Sequence, residues 1–389
     1  MMKKRNGALC FWAFVFSMIF ILHYAYFFDM KKWDSGNYLF SRGEIAIDFF
    51  FIAIGAWFAK SINEISADRP FEWRDYGSFL KDVLRRYLPA FAISWIASFI
   101  VLNIACFVNV KTTVNNFLTS LLELMPFRSA GFNASPVDNK TIVGYRVMDQ
   151  VWIFSAIFIA LAILYPLYRR NRQRFEYYIA PVGAVLVLCF LFFRTKVLTA
   201  DNLLLLDPKP KALYYSFLGT YKAFAEILAG VVCYLIARSI GKKTISKAKS
   251  YLLSLIEICA YLAAILYMQF MFRFELPKNF DYLALAMILL GVTLSLSEKS
   301  SISRLCNNKV CYFLGKFSLY PLLTFMMFAK TLRWYLPKMS YGKLTLLYIA
   351  LTLTSAIVVM LLEKPFVRLI KSMKRLFIKP QALKEKETA

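Results

Sequence analysis

The chain has 389 residues, of which 59% are hydrophobic, and it carries a net charge of +25. Apolar residues gathered into long runs exclude a soluble globular domain, since a membrane-spanning helix needs about 20 consecutive apolar residues. The positive charge lies in loops between these runs, where attraction to lipid headgroups accounts for it, so we expect no nucleic-acid partner.

Ten apolar segments follow one another along the chain, and each is predicted to cross the membrane as a helix. They lie at 8–28, 44–61, 86–109, 149–168, 176–193, 212–237, 250–271, 281–297, 310–332 and 343–363. This pattern predicts an all-α membrane bundle with one domain over 1–378 and a disordered cytoplasmic tail over 379–389. The charged stretch 60–85 is predicted to form a short helix at the membrane surface before the third span.

Basic loops predict the orientation of the bundle. With the N-terminus inside, more than half of the 48 Lys and Arg residues fall on the cytoplasmic side. The clearest loops, 168–174 and 237–249, fall on the same side, two spans apart. By the positive-inside rule, both termini are then cytoplasmic. We expect a multi-pass protein of the cell membrane, specifically a bacterial cytoplasmic membrane, with the lipid bilayer as its permanent partner.

Ionisable side chains inside apolar spans are costly to bury and mark candidate functional sites. They are His23, Asp48, Asp149, Lys222, Glu226 and Glu257, with Arg86, Lys316 and Glu363 toward span ends. Lys222 and Glu226 are four residues apart, the spacing of an ion pair on one helix face, so we interpret them as a structural pair. Glu257 has no evident partner in the sequence.

The lone histidine of the chain, His23, is the candidate general base, because neutral imidazole titrates near neutral pH. The alternative is a polar side chain that is hydrogen-bonded between helices. At about 1.5 Å per residue, His23 and Asp48 lie at similar depth in neighbouring spans, roughly 6–8 Å beneath the outer surface. A carboxylate beside the imidazole would stabilise the imidazolium, so the pattern predicts a catalytic His23–Asp48 pair.

Three basic residues, Lys81, Arg85 and Arg86, stand at the predicted cytoplasmic mouth of the third span. Guanidinium groups bind phosphate bidentately, which makes these residues a candidate phosphate site. The alternative is simple anchoring by the positive-inside rule. The seven cysteines are scattered without the spacing of metal ligands, so we expect no metal site.

Six short stretches, taken in chain order, carry a family pattern. They are His23, GEIAIDFFFIAIG (43–55) with Gly43, Asp48 and Gly55, LKDVLRRYLP (80–89) with Arg86 and Pro89, WIFS (152–155) with Trp152 and Ser155, LGKFSLY (314–320) with Ser318 and Tyr320, and EKPF with Glu363. Their order and spacing resemble the acyltransferase 3 family of integral membrane acyltransferases over nearly the whole chain.

The resemblance implies transfer of an acyl group to a hydroxyl of a cell-surface polysaccharide or its lipid-linked precursor. It implies acetyl-CoA as a co-substrate, with no bound cofactor, and His23 as general base. We therefore expect Lys81, Arg85 and Arg86 to hold the CoA phosphates.

Several positions depart from the family pattern, and among them Trp12, Ile54 and Ile157 stand where Arg, Ser and Glu are usual. These departures leave an inactive relative as one alternative. A transporter or flippase of a lipid-linked saccharide is a second, although such proteins often carry internal repeats that this sequence does not clearly show. A third is a polysaccharide polymerase or glycosyltransferase.

Overall fold

The computed structural model describes residues 6–25, 39–65, 69–105, 151–195, 218–271, 273–274, 276–335 and 339–387. These ranges are helical and contain no strand. The helices are α1 (Gly7–His23), α2 (Ala46–Asn63), α3 (Trp73–Ala105), α4 (Val151–Arg170), α5 (Ala180–Thr195), α6 (Leu218–Gly241), α7 (Lys247–Phe270), α8 (Asp281–Ser297), α9 (Ser301–Leu305), α10 (Lys309–Phe317), α11 (Leu319–Tyr335) and α12 (Tyr341–Glu387).

Short turns lead into several of these helices. The 3₁₀ turns Gly43–Ile45 and Lys278–Phe280 precede α2 and α8, and a π-helical turn, Phe175–Ile179, precedes α5. Side-chain caps fix other starts, because a side-chain oxygen accepts a hydrogen bond from an otherwise unpaired backbone N–H. Asn6 caps α1 through Leu9 N at 3.0 Å, and Asn308 caps α10 through Cys311 N at 2.9 Å.

The all-α membrane fold is confirmed for the part of the chain that the structure describes. Seven helices there are long and apolar enough to cross a membrane, or eight if α10 and α11, which meet at a 41° bend, form one span. The apolar helices α1 and α8 are shorter, with 17 residues each. Each of the ten predicted segments overlaps a helix, while the count of ten spans and their orientation stay predictions.

Two predicted boundaries differ from the structure. The short surface helix expected within 60–85 does not precede the third span as its own element, because α3 begins at Trp73 and continues through Pro89 as one helix of 33 residues. The ring of Phe79 lies 4.3 Å from that of Tyr165 and 6.4 Å from that of Trp57, which packs this first part of α3 onto its neighbours. The tail predicted to be disordered from 379 overlaps α12, which runs to Glu387.

Helices α2 and α6 cross at the centre of the bundle with their backbones in close approach. A Cβ atom on Gly55 would lie 2.0 Å from the carbonyl oxygen of Ile227, and one on Gly230 would lie 2.1 Å from that of Ile52. Only glycine leaves room for carbonyl oxygens at these two positions. This contact brings the polar residues of α2 against those of α6.

We expect Gly55→Val to destabilise the bundle by about 1–3 kcal/mol, the usual cost of overpacking a core, since α2 must move away from α6. The matched control is Gly77→Ala on α3, where an added Cβ meets nothing within 4 Å. Thermal unfolding of the detergent-solubilised proteins compares the two. Equal stability of Gly55→Val and the wild type would contradict the close approach.

The two ends of the bundle hold different residues. At one end, which we call the basic end, Arg172 and Arg238 both donate to the side-chain oxygen of Asn63 at the end of α2. This contact confirms that the loops 168–174 and 237–249 share one end. The opposite end, which we call the histidine end, contains the end of α1 and the start of α2.

Candidate functional site

His23 is the last residue of α1, and both of its ring nitrogens have close neighbours. Its Nδ1 lies 2.8 Å from the carbonyl oxygen of Phe40, and its Nε2 lies 3.0 Å from Oε2 of Glu44. Because a carbonyl oxygen only accepts hydrogen bonds, Nδ1 carries a proton and donates it to Phe40. Nε2 is therefore the ring atom that exchanges protons, and Glu44 faces it.

The segment that receives the histidine is fixed by the end of α7. Phe40 has a positive φ of 50°, and its backbone N–H donates to Oε1 of Gln269 at 2.9 Å. Two residues later, Arg42 N donates to the carbonyl oxygen of Met268 at 2.9 Å. The Phe40 carbonyl that accepts from His23 also accepts from Gly43 N at 2.7 Å, so the backbone presets the orientation of the imidazole.

Gly43 is the family-pattern residue that lets α1 and α2 meet here. A Cβ atom at this position would lie 2.5 Å from Cβ of His23. The close approach allows Glu44, the next residue, to reach Nε2.

A buried chain of charges continues from Glu44 toward α8. Arg42 lies 3.1 Å from Oε1 of Glu44, and its other terminal nitrogen contacts the carboxylate of Asp281. The hydroxyl of Tyr267 donates to Asp281 at 2.7 Å. His23, Arg42, Glu44 and Asp281 are all at least 95% buried, so their charges act on one another with little screening by water.

Asp48 belongs to a second buried cluster, and the predicted His23–Asp48 pair is replaced by His23–Glu44. Lys222 on α6 lies 2.5 Å from Oδ1 of Asp48 and 3.0 Å from Oε1 of Glu226, and all three side chains are fully buried. The predicted pair of Lys222 and Glu226 is confirmed, with Asp48 as an additional partner. Glu44, four residues before Asp48 in the chain, is therefore the carboxylate beside His23.

Glu44, Arg42 and Asp281 were not among the site residues predicted from the sequence. One signal was present: Glu44 lies in the first turn of an apolar segment, four residues before Asp48 and therefore on the same helix face. The link to Asp281 joins residues 239 apart in the chain and has no local signal.

Lys81, Arg85 and Arg86 lie together on α3, and all three are exposed. The guanidinium of Arg86 stands 4.9 Å from the ring centre of Trp57 on α2, a cation–π contact. Arg85 lies 3.9 Å from Asp82, one turn earlier on the same helix. Exposed guanidinium groups are available to an anionic ligand.

The remaining family-pattern residues hold helices together. Trp152, at the start of α4, fills the space beside Gly219 on α6: a Cβ atom on Gly219 would lie 3.1 Å from the Trp152 ring. Ser155, one turn later on α4, is buried. Tyr320 donates to Glu363 at 2.5 Å, which joins α11 to α12.

Ser318 lies between α10 and α11, where its carbonyl accepts from Ser17 on α1 at 2.9 Å and its hydroxyl donates to Gly315 at 2.9 Å. Pro89 lies inside α3 without ending the helix. Of the residues that depart from the pattern, Trp12 packs on the ring of Tyr261 at 4.2 Å, Ile157 is buried and Ile54 is partly buried.

Glu257, which had no partner in the sequence, accepts hydrogen bonds from serines near the basic end. Ser295 donates to it at 2.6 Å and Ser300 at 2.5 Å, and the side chain is fully buried. These bonds join α7 to α8 and α9. In the described ranges, no group of three or more His, Cys, Asp or Glu side chains is placed to hold a metal ion.

A sequence profile described as an acyltransferase domain, that of the acyltransferase 3 family, matches residues 12–364. The chain belongs to the acyltransferase 3 family. Comparison with curated proteins finds no match, and comparison with solved structures also finds none. The matched region includes His23, Arg42, Glu44 and both buried charge clusters, so these residues lie within the domain of a membrane acyltransferase.

Proposed function

We propose that the protein is an O-acetyltransferase. It moves an acetyl group from cytoplasmic acetyl-CoA to a hydroxyl of a cell-surface polysaccharide or its lipid-linked precursor, in a bacterial cytoplasmic membrane. The observation that carries the proposal is the buried contact between His23 and Glu44 in a chain of this family.

His23 is the general base of the proposed reaction. The Phe40 carbonyl keeps the proton on Nδ1, so Nε2 accepts the proton of the acceptor hydroxyl as that hydroxyl attacks the thioester. In the resting contact one proton lies between Nε2 and Oε2 of Glu44, which are 3.0 Å apart. This proton stays on Glu44 when the hydroxyl enters between the two side chains, and Arg42 retains Glu44 through Oε1, 3.1 Å away. Once Glu44 has given up that proton, its carboxylate stabilises the imidazolium that proton transfer creates.

The donor reaches the histidine from the basic end in this proposal. Arg86 stands over Trp57, which follows Glu44 by thirteen residues in the same helical segment. At about 1.5 Å per residue, the two positions are roughly 20 Å apart along the axis. An extended pantetheine arm has a comparable reach. The CoA phosphates bind at Lys81, Arg85 and Arg86, and the thioester lies beside His23.

The double substitution Arg85→Ala, Arg86→Ala is expected to raise the Kd for CoA at least tenfold. A charge-assisted hydrogen bond contributes about 1.5–3 kcal/mol, and about 1.4 kcal/mol is a factor of ten in affinity. Calorimetric titration of the purified protein in nanodiscs with CoA measures the change. Arg304→Ala, which removes an exposed arginine on α9, is the control and keeps the wild-type Kd. Unchanged CoA affinity in the double variant would refute this phosphate site.

Mass spectrometry of surface polysaccharides tests the function as a whole. Cells with the gene should show glycans heavier by acetyl groups than cells without it. The added mass identifies the acyl group and fragmentation locates the acceptor sugar. Identical glycans in the two strains, with the protein present in the membrane, would overturn the proposal.

A further inference from the structure

The cluster of Asp48, Lys222 and Glu226 has one cation for two carboxylates. Lys222 Nζ lies 2.5 Å from Asp48 and 3.0 Å from Glu226, and none of the three side chains is exposed. A buried charge without a counter-charge is costly, so a fully ionised cluster is unfavourable. A single proton on either carboxylate makes the cluster neutral.

Each carboxylate of the cluster has a second oxygen that does not contact Lys222, and this oxygen can carry the proton. Asp48 Oδ2 and Glu226 Oε2 are buried and have no hydrogen-bond donor among the described residues. Such oxygens pay the full cost of desolvation when they are charged.

The surroundings of the cluster increase the cost of its negative charge. Glu44 and Asp281 both repel a charge on Asp48. From another helix that packs on α6, Tyr282 on α8 also lies within electrostatic range of Lys222 and Glu226. The surrounding groups thus add two carboxylates and a phenol. Among the described residues, the nearest other cation is Arg42, which already pairs with Glu44 and Asp281.

Geometry connects this cluster to the histidine. Glu44 and Asp48 are four residues apart in one continuous helical segment, so their side chains lie on the same face, about 5–6 Å apart at Cβ. Glu44 contacts His23 and Asp48 contacts Lys222. The two charge clusters are therefore neighbours along α2.

We propose that Asp48, Lys222 and Glu226 form a proton-holding site that serves the acyl transfer. The acceptor oxygen attacks the thioester carbon, the new C–O bond forms and the C–S bond breaks. The hydroxyl proton passes to His23, and the site gives its proton to the departing CoA thiolate. Transfer from His23 through Glu44 refills the site, so the reaction neither gains nor loses a proton overall. The step to the thiolate rests on the proposed acyl-CoA donor, whereas the stored proton does not.

Infrared spectroscopy of the full-length protein in nanodiscs tests the stored proton without any substrate. At neutral pH we expect the C=O stretch of a protonated carboxyl, shifted in D₂O. Glu226→Gln and Asp48→Asn should each remove it, because the remaining carboxylate then pairs one to one with Lys222. Glu257→Gln, at a buried glutamate held by serine hydroxyls, is the control and keeps the band. A wild-type protein without the band, or a band lost only in Glu257→Gln, would overturn the proposal.

Activity separates this proposal from the proposed function. Glu226→Gln should lower kcat about a hundredfold, within the usual range of general acid–base catalysis, with KM for acetyl-CoA unchanged. Wild-type kcat in that variant would refute the role in proton transfer. A wild-type protein with the infrared band but without any acyl transfer would instead contradict the proposed function and leave the proton-holding site in place.

Discussion

His23→Asn should lose acyl transfer and keep its fold. The amide nitrogen of asparagine can donate to the Phe40 carbonyl as Nδ1 does now, at 2.8 Å, but asparagine cannot accept a proton near neutral pH. General-base catalysis usually contributes about a hundredfold to ten-thousandfold, so the expected loss of kcat lies in that range. Acetyl transfer to purified acceptor glycan, measured by mass spectrometry, gives the rate.

The control is a variant that changes the surroundings of His23 without removing the base. Gln269→Glu is such a variant. A glutamate oxygen can still accept the hydrogen bond from Phe40 N, and the variant does not change Nε2 of His23. We expect this variant to keep most of its activity. Equal membrane levels of both variants, followed by blotting, exclude a folding defect. Wild-type turnover in His23→Asn would show that His23 is not the base.

The helices were predictable from sequence because an apolar run long enough to cross a bilayer favours a helix whatever it packs against. Each of the ten predicted segments overlaps a helix in the structure. The ends of helices were harder to predict where charged and apolar stretches join. Helix α3 runs from Trp73 through a charged stretch into the span, and the aromatic contact of Phe79 with Tyr165 packs the charged stretch onto the bundle.

The partner of His23 was not predictable with the same success. Depth along two helices placed Asp48 near the histidine, and depth alone cannot distinguish residues one turn apart. The choice of Glu44 depends on the backbone at Phe40 and on its bonds to Gln269 and Met268, which lie more than 220 residues away in the chain. Charge clusters that depend on such non-local contacts can be identified only from the tertiary structure. The pair Lys222–Glu226 could be predicted from the sequence, because its residues are four apart on one helix.

Lys222→Met should cause the largest loss of stability among the substitutions considered. It leaves Asp48 and Glu226 without their ammonium in a site that water does not reach. Breaking a buried ion pair by removing one partner costs about 3–5 kcal/mol. Thermal unfolding in detergent micelles measures this loss of stability. The difference from the wild type should become smaller at low pH, where protons bound to the carboxylates replace the missing positive charge.

Two further variants separate charge from packing in this experiment. The triple variant Lys222→Met, Asp48→Asn, Glu226→Gln removes both carboxylates as well as the ammonium, so most of the lost stability should return. Lys316→Met makes the same exchange at an exposed position on α10 and should leave the unfolding temperature near that of the wild type. If the triple variant is no more stable than Lys222→Met, then the loss arises from the packing of the lysine stem. If it recovers, then the neutrality of this cluster stabilises the contact between α2 and α6.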